Sequence, residues 1–192
     1  MLTGRSSFPM HLVFGESRKM LEHWHDFYLL VGTAASALLA LLFVAVSIGA
    51  SILSRETAGP TRTYMSPVAF HFTAVLFVSA VALVPAHTQA SLSLLLGGSA
   101  GIGVVYAVFV TRRLLRDGIA DLPDRLAYGL SPFIAYAAIL AASVLAYRGV
   151  EQAVEVLASG VLVLLMVNVR NAWDLLLAMA RRLREAKEGG AG

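Results

Sequence analysis

The chain has 192 residues, 58% of them hydrophobic and 14% charged, with a formal charge of +3 and no cysteine. Soluble domains average roughly 45–50% apolar and 25% charged residues, so this balance points to lipid as the solvent. The small net charge gives no footing for nucleic acid, and the missing thiols exclude disulfides, thiolate-held iron–sulfur clusters and cysteine nucleophiles.

Residues 1–26 form an N-terminal interfacial segment with Pro9, Arg18-Lys19 and the polar, aromatic stretch Glu22-His23-Trp24-His25-Asp26. A short helix from about Glu16 to His25 is expected on the membrane surface, with Trp24 and Tyr28 at headgroup depth. No apolar h-region begins within this segment, so a cleaved secretory signal is not expected. The next 27 positions, Phe27 to Leu53, hold no charged side chain. As a helix they would reach about 40 Å, more than the roughly 30 Å hydrocarbon core, and so define span one. Gly32, Ser36 and Ala40 recur every four residues along it. Such a stripe admits a closely packed neighbour, whether in the same chain, in a second copy or in another membrane protein.

Residues 54–66, with Gly59-Pro60, read as a turn, and Pro67 is placed to open span two, from about Val68 to Val84. Span three runs from about Leu92 to Val110, with Ser93, Gly97 and Gly101 on one face. Its glycine cluster, through Gly103, suggests a tight crossing or an opened helix beside a polar cavity. Residues 112–127 mix Arg112, Arg113, Arg116 and Arg125 with Asp117, Asp121 and Asp124, and should rest on the membrane surface. Span four follows from about Tyr128 to Tyr147, with Ser131-Pro132 at its start. Span five starts near Gln152 or Ala153 and stays apolar through Val169, and its helix should continue out of the bilayer to Ala180. Residues 181–192 form a charged tail.

The expected fold is therefore all-α, an integral membrane bundle of five transmembrane helices over residues 27–180. With the N-terminus outside, eleven Lys and Arg residues fall on the cytoplasmic side and four outside, which favours N-out and C-in.

Two polar groupings follow from this topology. His23, His25, Asp26, His87, Glu151 and Glu155 share the outer end. Imidazoles and carboxylates of this kind suit zinc or another transition ion, or proton transfer; the alternative is a polar rim in which Glu151 or Glu155 meets Arg148. Toward the other end lie His71, Asn168, Arg170, Asn171 and Asp174. Asn168, Asn171 and Asp174 are three residues apart, and Arg170 and Asp174 are spaced to pair. This second group either lines an ion or proton pathway or holds helices together. Tyr106, Tyr136 and Tyr147 read as anchors or packing residues. No complete catalytic or cofactor motif is present; Gly97-Gly98-Ser99-Ala100-Gly101 lacks the lysine of a phosphate-binding loop. The reading is a non-enzymatic structural or accessory protein with no predicted cofactor, and an ion or proton pathway is its alternative.

Trp24-His25-Asp26-Phe27-Tyr28, Gly32-Thr33-Ala34-Ala35-Ser36-Ala37-Leu38 and Leu41-Leu42-Phe43-Val44-Ala45-Val46-Ser47-Ile48 resemble the opening of a family of small, uncharacterised bacterial multi-span proteins. Some members are labelled modulators of a membrane protease. The resemblance covers mainly residues 24–48 and implies a bundle of several helices in a bacterial inner membrane.

Overall fold

A computed structural model describes the backbone at residues 10–52, 58–85, 87–117 and 129–189, and side chains at 24–48, 66–85, 87–113, 115–116, 129–181 and 184. Among these residues five helices form an all-α bundle: α1 (Met10–Ile52), α2 (Ala58–Leu83), α3 (Gln89–Asp117), α4 (Ser131–Tyr147) and α5 (Ala153–Gly189). Four of them are long and apolar enough to cross a membrane, with candidate spans at Trp24–Ile48, Ser66–Leu83, Gln89–Arg113 and Ala153–Arg181. The fifth, α4, has 17 residues. Those residues reach about 26 Å, and a helical turn at Gly129-Leu130 brings the rod near the roughly 30 Å of the hydrocarbon core.

The expected surface helix and first span are one continuous rod, α1. The continuity has a simple cause: residues 10–26 contain no proline and only one glycine, so no backbone break separates the polar part from the apolar part. Pro67 likewise lies inside α2 rather than at its start. Helix α2 begins at Ala58, with Pro60 in its first turn, where a missing N–H costs little. At Pro67 the bond to the carbonyl of residue 63 is lost, close to where the apolar stretch begins at Ser66. Arg112 to Asp117 continue α3, and the remainder of the expected surface stretch lies outside the described residues.

Thr88 caps α3: its Oγ1 accepts the N–H of Ser91 at 3.1 Å, satisfying one of the free donors of the first turn. At the turn between α4 and α5, Gly149 has φ of +70°, a left-handed conformation that lacks the Cβ penalty only for glycine.

The helices form a closed ring in chain order, with α2 and α5 also touching across the middle. One end holds Tyr28 and the start of α5, joined by the Tyr28 hydroxyl donating to the Val154 carbonyl at 3.2 Å. The opposite end holds the start of α2, the last turns of α3 and the start of α4. Val68, Val75, Val78, Ile139, Val161 and Leu164 are among the most deeply buried residues of the core. Crossings are tight where glycine removes a side chain. A Cβ at Gly160 of α5 would lie 3.0 Å from the Ala135 carbonyl of α4, so backbone meets backbone there.

Candidate functional site

Within the apolar stretch of α2, His71 lies about 7 Å along the helix from Ser66 and is 1% exposed. An unpartnered imidazole at that depth would be costly, and the fold supplies a partner. His71 Nδ1 and the Tyr136 hydroxyl of α4 share a hydrogen bond of 2.8 Å. The phenol donates it when the imidazole carries its proton on Nε2; in the other tautomer the ring N–H donates.

Tyr136 reaches His71 because α3 has Gly103 where its ring lies. A Cβ there would stand 2.2 Å from Tyr136 Cε1, so any side chain at position 103 would occupy the space of the ring. Phe70 and Tyr106 complete the enclosure, with ring centroids 5.6 and 6.1 Å from that of His71. Tyr106 stacks on Phe70 at 4.1 Å, and its hydroxyl shares a 3.1 Å hydrogen bond with Ser66 Oγ.

One turn before His71, the Val68 carbonyl accepts a 2.8 Å hydrogen bond from Asn168 Nδ2 of α5. A carbonyl can only accept, so the bond fixes the orientation of the amide and turns Asn168 Oδ1 elsewhere in the core. That oxygen is buried and has no hydrogen-bond partner among the described residues. Asn171 is also fully buried. Thus α2, α3, α4 and α5 each contribute to one polar seam.

The other members of the predicted group diverge from this seam. Asp174 and Arg170 are exposed and pair with each other at 3.8 Å. Helical geometry explains the split: a strict three-residue repeat drifts about 60° per step, so Asp174 lies about 120° around α5 from Asn168. Leu175 and Met179 take the inward positions instead.

At the other end, the described members of the predicted outer group lie on three separate stretches, around His25, His87 and Glu151. His25 Nδ1 and Asp26 Oδ1 lie 3.2 Å apart on the exposed surface. His87 Nδ1 and Ser91 Oγ share a 3.3 Å hydrogen bond beside the α3 cap. Glu151 and Glu155 are exposed on the α4–α5 turn and the first turn of α5, and the His23 side chain lies outside the described residues. Among the described residues no three His, Asp or Glu side chains form a group able to hold a metal ion.

Nothing in the spacing of the residues announces the partnership of Tyr136 with His71, 65 residues apart. Its signal is Gly103, a glycine inside an apolar run, which marks a place where another group comes close. The chain matches no family model, no curated protein and no solved structure.

Proposed function

We propose that this chain is a non-enzymatic accessory protein of the membrane, in which the polar seam fixes the arrangement of helices that carry the working surfaces. The observation that carries this reading is the pairing of two buried polar groups across helices, His71 with Tyr136 and Asn168 with the Val68 carbonyl, continued by the bond of the half-buried Tyr106 to the exposed Ser66. Each bond joins two helices, and lipid offers little hydrophobic drive to hold helices together otherwise. A bacterial inner membrane, implied by the resemblance over residues 24–48, and an N-out orientation, supported by the count of basic residues, complete the proposal.

Vesicles reconstituted with the full chain test it. Proton or alkali-cation flux should equal that of protein-free vesicles, and Tyr136→Phe should lower the melting temperature in detergent. The buried Asn168 Oδ1 favours one second reading, an ion or proton pathway along the seam. Flux above the empty-vesicle level that falls with His71→Asn or Asn168→Leu would replace the accessory role with that pathway.

A further inference from the structure

Away from the seam, the outward face of α3 holds an open groove of about 570 Å³. Its floor is Gly98 and Gly101, and its walls include Ile102, Val105, Tyr106 and Phe109. Among the described residues nothing else comes within 4 Å of a Cβ built on either floor glycine. Ile102, Val105 and Phe109 are 65%, 70% and 60% exposed, so the walls stand out from the bundle.

The same stripe ends in charge. Steps of three and four residues lead from Val105 through Phe109 to Arg112, Arg113 and Arg116, all exposed, in the last turns of α3. Arg112 lies about 4.5 Å along the helix beyond Phe109. Gly97 to Phe109 spans about 18 Å, close to the roughly 15 Å depth of one leaflet's hydrocarbon. One face of one helix thus offers an apolar channel of leaflet depth with guanidinium groups at its headgroup end. Guanidinium binds phosphate oxygens through paired N–H donors.

We propose that this face of α3 is a binding site for one anionic phospholipid, its acyl chain in the groove floored by Gly98 and Gly101 and its phosphate at Arg112 and Arg116. A zwitterionic lipid fills the groove with the same chain but brings a compensating ammonium to the arginines, so the site favours net negative headgroups.

The test uses the full chain in mild detergent, titrated with phosphatidylglycerol or phosphatidylcholine, with bound lipid read from the intact mass of the complex. Phosphatidylglycerol should bind more tightly. The exposed double substitution Arg112→Gln/Arg116→Gln should weaken it about thirtyfold, the effect expected of two arginines near an anionic headgroup, and leave phosphatidylcholine unchanged. Gly101→Leu, whose side chain enters open space, should reduce retention of both lipids without lowering the melting temperature; Gly98→Leu is the second filling variant. Equal affinity of the native chain for the two lipids overturns the proposal, as does full phosphatidylglycerol binding by both filling variants. A dimer that Gly101→Leu converts to monomer overturns it too, and assigns the groove to a second copy of the chain.

Discussion

Gly103 and Gly101 are two residues apart on α3 and meet opposite surroundings. A Cβ at Gly103 would run into the Tyr136 ring at 2.2 Å, whereas one at Gly101 would have nothing within 4 Å among the described residues. Two residues turn a helix by about 200°, so one glycine faces the bundle and the other faces out. The inward one lets a large aromatic side chain from α4 lie against the α3 backbone, and thereby lets a phenol reach a buried histidine on α2. The outward one leaves an open hollow on the surface of α3. In a membrane helix a glycine therefore has no single meaning; the neighbour that its missing side chain admits decides its role.

The comparison breaks most visibly at Gly103. Gly103→Ala should force Tyr136 out of place, costing about 3 kcal/mol through overpacking and the strained His71 bond. Thermal unfolding in detergent should show it as the least stable of the variants considered, and an unchanged melting temperature would mean that the ring does not depend on that space. Tyr136→Phe is milder. It keeps the ring and removes only the hydroxyl, leaving His71 Nδ1 buried without its partner, at about 1 to 2 kcal/mol. If the seam is a unit, the double variant Tyr136→Phe/His71→Leu should recover part of that loss, because both polar groups are then gone.

The sequence made the helices legible and left their rotation obscure. Long uncharged runs carry their own meaning in lipid, and Ser131-Pro132 and Gln152-Ala153 mark the starts of α4 and α5 closely. The continuous α1 and the internal Pro67 were harder to read, because polar text and proline suggest a break without enforcing one. Phase was harder still. In span one, Gly32 is buried against Ser79, but Ser36 and Ala40 of the same four-residue stripe are exposed, while Tyr28, Val31 and Ala35 face the core. A stripe with equal spacing cannot say which part of it meets a partner, because small and large apolar side chains both tolerate lipid. The pairing of His71 with Tyr136 depends on that same hidden rotation of three helices.

Asn168→Ala sharpens the comparison from within the seam. The substitution loses the bond to the Val68 carbonyl but also removes the buried Oδ1 that has no partner among the described residues. The two effects oppose each other, and interhelical bonds in membrane proteins average only about 0.6 kcal/mol. The net destabilisation should therefore be about 1 kcal/mol or less, below that of Tyr136→Phe. A larger loss in the same unfolding experiment would show that the amide has a further partner, such as an internal water bound to Oδ1.

The smallest effect belongs to Gly98→Ala, on the open floor of the groove. In water an exposed helical Gly→Ala gains up to about 1 kcal/mol, because glycine loses more backbone freedom on ordering. Lipid reduces that gain: a spanning segment must satisfy its backbone internally, so it remains helical even when the bundle comes apart. The added methyl group meets no atom of the described residues within 4 Å, which removes the opposing steric cost. The melting temperature should therefore stay level or rise by an amount equivalent to about 0.5 kcal/mol or less. The sign carries the comparison, since the same methyl group five residues along α3, at Gly103, should be the most damaging. A fall at Gly98 would place another packed surface over the groove, and a fall that vanished on dilution of the protein would identify that surface as a second copy of the chain.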